Sequence, residues 1–262
     1  MLCDRAGVTD SALTNHGMAQ AQRLAKHIAS DEVCNSSQIT HIFSSDLQRA
    51  RVTAEGICAA LVANPGKSPW KPILATSLRE RDFGSLEGVR SISDHELSQS
   101  EPRLDDGSSK GWKNCESDIS MKSRVETFFD EHLQSMLDLD ADDYEGNQVV
   151  IIVAHGIILR VFWNYLLGLF YPENVVFDIQ DYSTKLEETF RPSWSNTGFL
   201  DLLISPLGPK LEGLPQFTLG GWQMKVQASN YTNHLHGLRR TKGGIGSAAH
   251  DRKQKQIKDF FR

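Results

Sequence analysis

Three residues that follow predicted strands have side chains that could bind and transfer a phosphoryl group: Arg49, Glu80 and His155. The planar guanidinium of arginine matches two oxygens of one phosphate group. A carboxyl group such as that of Glu80 can donate a proton to the leaving oxygen of a phosphate ester. A histidine can donate a hydrogen bond to a phosphate oxygen. Together, these three residue types indicate phosphoryl chemistry.

Each of these residues also has an ordinary structural interpretation. Arg49 has Glu55 and Asp46 as nearby partners for a surface ion pair, and Glu80 has arginines on both sides. A single histidine is more often structural than catalytic. The functional interpretation rests on convergence, because the carboxyl ends of parallel strands meet at one edge of a sheet.

The helices and strands that position these three residues are predicted from hydrophobic periodicity. Helices are predicted over residues 14–28, 47–61, 122–139 and 157–167, and strands over 39–44, 73–78, 148–154, 199–204 and 222–228. This alternation predicts a doubly wound α/β sandwich. His155 ends the most apolar strand, and Gly156 opens the next helix, whose first amides attract an anion. The polar segment 81–120 is predicted to be a surface excursion that shapes the mouth of a pocket.

Composition and charge limit the class of protein. The chain has 262 residues, of which 39% are hydrophobic and 23% charged, so it can form an ordinary core and is neither wholly disordered nor fibrous. No apolar run is long enough to span a membrane. Four widely spaced cysteines and a charged N-terminus without a signal core indicate a cytoplasmic or nuclear protein.

The C-terminal end differs from the rest of the chain. Residues 237–262 contain eight Lys or Arg against two Asp, whereas the chain as a whole has a net charge of -5. We therefore expect a domain over residues 1–230 and a basic flexible tail over 231–262. Nonspecific nucleic-acid binding by this tail rests on charge alone, since aromatic residues are not interleaved with the basic ones.

The last residues of the tail, QKQIKDFF, resemble a PCNA-interacting peptide. The defining positions of that pattern are Gln254, Ile257, Phe260 and Phe261. On one helical turn the three apolar residues would form a compact plug for a sliding clamp. The alternative is a short amphipathic helix that folds back onto the domain.

Four segments, in order, resemble the histidine phosphatase (phosphoglycerate mutase-like) superfamily, and most of all its fungal members. They are SALTNHGMAQAQRLA from Ser11, SSDLQRARVTAEGI from Ser44, LRERDFGSLEG from Leu78 and VVIIVAHGIILRVF from Val149. The resemblance covers about residues 9 to 230. It implies a three-layer sandwich with a mostly parallel sheet.

The resemblance also implies roles for individual residues. Arg49 would bind phosphate, Glu80 would be the proton donor and later the base, and His155 with Gly156 would bind the transferring group. Asn196 would lie at the pocket rim. Phosphoryl transfer in the family runs from a small phosphomonoester to a histidine nitrogen, then to water or back to substrate. No metal or organic cofactor is implied.

One departure from the family concerns the nucleophile. The family begins with a central strand that ends in Arg-His-Gly, and this sequence shows no such strand before Leu13. His16 belongs to the start of the first helix and is not a substitute. The sequence therefore predicts a chain that is inactive as it stands and has unpaired strands beside the gap. The alternatives are a protein that begins upstream of Met1 and a noncatalytic phosphate-binding adaptor.

Overall fold

The computed structural model describes residues 6–30, 36–61, 70–89, 112–137, 148–178, 190–208 and 219–239. Five α-helices lie in these ranges: α1 (Asn15–Ala29), α2 (Gln48–Leu61), α3 (Asp118–His132), α4 (Gln134–Leu137) and α5 (Gly156–Leu167). The strands are β1 (Ile39–Ser45), β2 (Ile73–Ala75), β3 (Val149–Val153), β4 (Val175–Phe177), β5 (Phe199–Pro206) and β6 (Trp222–Tyr231). The predicted α/β class is confirmed.

The first sheet has helices on both faces. Along β1, Ile42 packs in a cluster with α1 and α2, whereas Phe43 packs in a cluster with α3 and α5. Neighbouring residues of β3 alternate in the same way. Because successive side chains of a strand point to opposite faces, this arrangement produces three layers. It also explains why the predicted strand 148–154 is apolar from Val149 onward.

This sheet has the order β2-β1-β3, and both pairings are parallel. Among the described strands β1 is paired on both sides, whereas β3 pairs with β1 alone and lies at the edge of this sheet, so the expectation of an unpaired strand beside a gap stays a prediction. The register joins Ile42 to Ile151 and Ser44 to Val153. Each of these two strands satisfies the backbone groups along the edge that faces the other. The carboxyl ends of β1, β2 and β3 therefore lie side by side.

Two predicted boundaries differ from the structure. The predicted strand 73–78 is β2 for three residues and then a 3-10 turn, Thr76–Leu78, which points the following chain toward α5. The predicted helix 122–139 begins earlier, where Ser117 caps it by accepting from the Ser120 amide, and it is interrupted at Leu133. The short strand β4 was not predicted.

A second sheet has the order β4-β6-β5, with β4 parallel and β5 antiparallel to β6. The predicted domain boundary at residue 230 falls within β6. Beyond β6, the carbonyl of His236 accepts a 2.6 Å hydrogen bond from Arg23 of α1. None of the described helices has the length and apolarity to cross a membrane. The clamp-like residues Gln254, Ile257, Phe260 and Phe261 lie outside the described ranges.

Candidate active site

Arg49 and His155 meet at the carboxyl edge of the first sheet. Arg49 is in the first turn of α2, which follows β1, and His155 follows β3. Arg49 Nε lies 3.2 Å from His155 Nδ1, and His155 Nε2 lies 2.9 Å from the Ser45 hydroxyl. Because a guanidinium only donates, Nδ1 must accept and Nε2 must carry the proton. His155 is therefore a neutral imidazole that donates to Ser45.

The surroundings of His155 keep it neutral. Its side chain is buried, and burial together with the positive charge of Arg49 lowers the pKa of His155 from 6.5 to about 3. A buried imidazolium next to a cation would be unfavourable. At neutral pH, His155 can therefore donate one hydrogen bond from Nε2, the atom that Ser45 now holds.

The remaining donors of Arg49 contact the segment 6–9. Nη1 donates to the carbonyl of Thr9 at 2.9 Å, and Nη2 donates to the carbonyls of Ala6 and Gly7 at 3.1 and 2.6 Å. With the bond to His155, four of the five guanidinium N–H groups have partners. A phosphate that uses the guanidinium fork must displace carbonyls of this segment.

Glu87 holds the segment 6–9 in place. Its carboxylate accepts from the amides of Gly7, Val8 and Thr9, each at 3.1 Å, and from the Thr9 hydroxyl at 2.5 Å. The Phe83 amide donates to it as well, at 2.9 Å. Burial opposes its ionisation, but these hydrogen bonds hold the pKa of Glu87 below its usual value. Glu87 thus connects the LRERDFGSLEG segment to Arg49.

Glu80 lies at the N-terminus of α5. Its Oε2 accepts from the Ile157 amide at 3.0 Å, and its Oε1 accepts from the Ile158 amide at 3.1 Å and the Arg81 amide at 2.9 Å. The anion at this helix terminus is therefore the chain's own carboxylate. Since α5 starts directly after His155, Glu80 and His155 are brought to the same helix end.

Arg49 and Glu80 do not form the surface ion pairs that were their alternative, purely structural role. Glu55 pairs with Arg51, at 3.7 Å, rather than with Arg49. Asp46 is bound by both Nε and Nη2 of Arg79, at 2.8 and 2.5 Å. These pairs leave Arg49 and Glu80 facing His155 and the α5 terminus.

Two of the clefts in the described structure have volumes of about 590 and 450 Å³. The larger, about 590 Å³, lies between the outer face of α2 and Trp70 and does not include Arg49, Glu80 or His155. The smaller, about 450 Å³, is lined by Glu80, Arg79, Lys113 and Arg124 among others. Since Glu80 joins the smaller cleft to the α5 terminus, that cleft is the candidate for substrate binding.

Gly156 and Asn196 have different positions. A Cβ at Gly156 would have only Trp194, at 3.8 Å, within 4 Å, so the start of α5 is open on that side. Asn196 is exposed in a turn, where its carbonyl accepts from the Thr197 hydroxyl, and it does not line the 450 Å³ cleft. The described structure brings together Arg49, Glu80 and His155 and shows no contact between Asn196 and them.

Asp10, Ser45 and Glu87 were not predicted from the sequence as site residues. The Ser45 hydroxyl accepts from the Leu47 amide at 3.3 Å, besides bonding His155. Asp10 caps α2 by accepting from the Gln48 amide at 2.5 Å. Glu87 lies in the segment LRERDFGSLEG, but no local sequence feature indicates that it bonds to Gly7, 80 residues away.

Three side chains of this site can bind a phosphoryl group. Within the described ranges, no group of three or more His, Cys, Asp or Glu could hold a metal ion. Arg49 supplies positive charge, His155 a neutral donor and Glu80 a carboxylate at a helix terminus. His155 alone among the described histidines is hydrogen-bonded to Arg49.

This chain is similar to proteins of one known family. A family model described as histidine phosphatase superfamily (branch 1) matches residues 4–189. The probable phosphatase C1620.13 of Schizosaccharomyces pombe is 30% identical over 260 residues, which are 98% of this chain and 73% of that protein. The probable phosphoglycerate mutase GpmB of Proteus mirabilis is 30% identical over 165 residues, 62% of this chain and 66% of GpmB.

A solved structure shares the fold. Mycobacterial glucosyl-3-phosphoglycerate phosphatase in complex with inorganic phosphate superposes with a TM-score of 0.52 at 17% identity. The superposition covers 89% of this chain and 94% of that one.

Proposed function

The chain belongs to the histidine phosphatase superfamily, and we propose that its site binds the phosphoryl group of small phosphomonoesters as a phosphatase does. The observation that carries this proposal is the contact of Arg49 with His155, 3.2 Å from Nε to Nδ1, at the helix terminus that Glu80 occupies. The N-terminus of α5 thus has a guanidinium, an imidazole N–H donor and a carboxyl group beside it, where a phosphoryl group would bind.

Each residue has a proposed part. Arg49 binds two phosphate oxygens after it releases the carbonyls of segment 6–9. His155 donates a hydrogen bond from Nε2 to a third phosphate oxygen instead of to Ser45. This bond stabilises the negative charge of the transferring group. Glu80, which lines the cleft, is the proposed proton donor to the leaving oxygen and later the base that takes a proton from water. It must first gain that proton, because three backbone amides now hold it as a carboxylate.

The proposed reaction needs a histidine nucleophile, as in the family's phosphohistidine mechanism. His155 does not serve this role, because its Nδ1 is held by Arg49. No other described histidine is hydrogen-bonded to Arg49 or Glu80, so we propose that residues 1–262 by themselves bind phosphomonoesters without hydrolysing them. A noncatalytic phosphate-binding adaptor has the same requirement for Arg49 and His155.

The test is calorimetric titration of the full chain with inorganic phosphate. Arg49→Ala is expected to weaken binding at least about thirtyfold, since it removes charge-assisted hydrogen bonds. Arg51→Ala is the matched control, because Arg51 is two residues away on α2 and pairs with Glu55. Equal loss in both variants, or no binding by the unaltered chain, would refute phosphate binding at this site.

A turnover assay separates the phosphatase from the adaptor. With 4-nitrophenyl phosphate, the chain is expected to release product no faster than the buffer does. Release that Glu80→Gln and His155→Ala both abolish would contradict the proposed inactivity and would leave the phosphate site in place.

A second proposed function is binding of a PCNA-type sliding clamp, which places the protein in the nucleus rather than the cytoplasm. Its support is the sequence pattern of Gln254, Ile257, Phe260 and Phe261 within a basic segment. Replacing Phe260 and Phe261 by alanine is expected to abolish clamp binding, and Asp259→Ala, at a position outside the pattern, to preserve it. Unchanged affinity of the double variant would exclude this function.

A further inference from the structure

We propose that the rings of His27 and His234 form a pH-sensitive latch, which holds residues 232–239 against α1 at neutral pH and releases them as the pH falls. This inference does not rest on the proposed function, because the latch shares no residue with the proposed phosphate site. It assigns a regulatory role to the residues that lead from β6 into the basic C-terminal segment.

The latch is part of a group of aromatic rings between α1 and the second sheet. His27 of α1 stacks on His234, with ring centres 5.7 Å apart, and on Tyr231 at the end of β6, 5.4 Å away. Phe199, the first residue of β5, lies 4.9 Å from Tyr231 and 6.2 Å from each histidine. These contacts attach the 3-10 turn Asn233–Leu235 to α1.

The hydrogen bonds of His234 define its neutral form. Its Nε2 lies 3.2 Å from the Thr197 hydroxyl, and that hydroxyl donates to the Asn196 carbonyl at 2.7 Å. Because a hydroxyl has one hydrogen, it must accept from Nε2, so Nε2 carries the imidazole proton. Nδ1 is then the bare nitrogen, and it is buried with no hydrogen-bond partner in the described part of the chain. A proton added to Nδ1 would be a buried donor without an acceptor, which is unfavourable.

The charges of α1 and of residues 232–239 also oppose protonation of His234. Neither element contains an acidic residue, and their charged or titratable side chains are His16, Arg23, Lys26, His27, His234, His236 and Arg239. Burial, His27 and Arg23 lower the pKa of His234 below its usual value. Two stacked imidazolium rings would repel each other, so protonation of both histidines is unfavourable in the docked state.

The second sheet supplies no carboxylate for an imidazolium. The sole acidic residue of β5 and β6 is Asp201, and burial alone raises its pKa, without a contribution from a histidine or a cation. Lys225 of β6 pairs with Asp178 at 2.7 Å. The Tyr231 phenol is uncharged at neutral and acidic pH, and the turn 194–198 contains no charged side chain. Within the described ranges, a proton on His234 therefore has no stabilising partner.

Little else holds residues 232–239 to α1. A second contact is the 2.6 Å hydrogen bond from Arg23 to the His236 carbonyl, and it is exposed to solvent. An exposed hydrogen bond adds little, because water can replace either partner. Loss of the stacked His234 ring is therefore expected to release residues 232–239.

The release is expected to end at β6. The Asn230 side chain accepts from the Ser195 amide at 2.8 Å and donates to the Ser195 hydroxyl at 3.1 Å. Tyr231 is also paired with Phe199 in the sheet. The released residues therefore begin at 232, directly before the basic C-terminal segment.

Proton linkage gives the direction of the pH effect. A released His234 has the ordinary imidazole pKa of 6.5, whereas the docked ring has a lower one. The released state therefore binds more protons, so docking is complete well above pH 6.5 and is lost as the pH falls below it.

The experiment is amide hydrogen exchange of the full chain, followed by NMR at pH 7.5 and 5.5 and corrected for the intrinsic exchange rates. The reporters are the amides of Leu235, His236 and Leu238, which are hydrogen-bonded within the segment. We expect their protection to be about fivefold to tenfold lower at pH 5.5. His234→Phe retains an aromatic ring that cannot take a proton, so its protection should be equal at the two pH values.

His16→Phe, at the opposite end of α1, is the matched control and should keep the pH dependence. His155→Gln should keep it as well, which separates the latch from the ionisation of the phosphate site. Equal protection at both pH values in the unaltered chain would overturn the latch. So would a loss that persists in His234→Phe, or one that His155→Gln abolishes. None of these outcomes changes the test of the proposed function, which is binding of inorganic phosphate.

Discussion

Arg49 donates from Nε to Nδ1 of His155 over 3.2 Å, and this bond determines which imidazole nitrogen carries the proton. The proton is on Nε2, directed at the hydroxyl of Ser45 at 2.9 Å. The site therefore holds a neutral hydrogen-bond donor beside a cation, an arrangement suited to an anion with several oxygens.

The ionisation of His155 can be followed directly by long-range proton–nitrogen NMR. In the unaltered chain we expect the Nε2-protonated neutral ring from pH 8 down to about 4.5, because burial and Arg49 lower its pKa to about 3. Arg49→Gln removes the cation, so the pKa should rise but stay below 6.5, since burial remains. Arg51→Gln should leave it unchanged. Titration of His155 near pH 6.5 in the unaltered chain would contradict this account.

The same pKa predicts how stability depends on pH. Between the folded pKa of about 3 and the unfolded value of 6.5, the unfolded chain binds the extra proton, so the free energy of unfolding falls as the pH falls. The slope from His155 is about 1.4 kcal/mol per pH unit. Urea unfolding at pH 4.5 and 5.5, where the unfolded imidazole is almost fully protonated, should show a slope steeper by about this amount in the unaltered chain than in His155→Gln. Equal slopes in both proteins would argue against a neutral, buried His155.

Glu87 is expected to control access to Arg49 through segment 6–9. Glu87→Ala removes the bonds to Gly7, Val8 and Thr9, which should reduce stability by about 1–3 kcal/mol. It should also tighten inorganic phosphate binding about threefold or more, because the carbonyls then compete less for the guanidinium. Glu55→Ala, on the exposed face of α2, is the control and should change neither quantity. Weaker phosphate binding in Glu87→Ala would mean that the segment orients Arg49 instead of occupying it.

Two glycines test the construction of the cleft wall. Gly84 and Gly88 both have positive φ, +55° and +73°, but only Gly84 has backbone atoms where a Cβ would be. Gly88→Ala should cost about 1 kcal/mol for its backbone conformation alone. Gly84→Ala should cost at least about 3 kcal/mol, because the Lys113 carbonyl must also move. Thermal unfolding measures both, and equal costs would contradict the close packing of Lys113 on Gly84.

Much of the fold is predictable from local sequence. Thr14, followed by apolar residues at helical spacing, marks α1, and the run QVVIIVA marks a strand whose two faces both pack against helices. The convergence of Arg49, Glu80 and His155 also follows, because residues after parallel strands share an edge. The short strand β2 was harder to predict, since residues 73–78 fit a strand or a turn equally well.

The partners of the site residues were not predictable, because they depend on packing between distant segments. The capping of α5 by Glu80 spans 77 residues, and the capping of α2 by Asp10 spans 38. Carboxylates of this kind read in the sequence as ordinary surface charges. The direct pairing of β1 with β3 is likewise a property of the assembled sheet, and among the described strands it leaves β3 at the edge of that sheet.

The most direct test of the central claim is to add inorganic phosphate to the chain and follow the Nε2 proton of His155 by NMR. The account predicts a saturable shift of this signal as the proton turns from Ser45 to a phosphate oxygen, retained in Arg51→Gln and lost in Arg49→Gln. A His155 signal that does not move at saturating phosphate, or that moves equally in Arg49→Gln, would contradict a phosphoryl site built from these two residues.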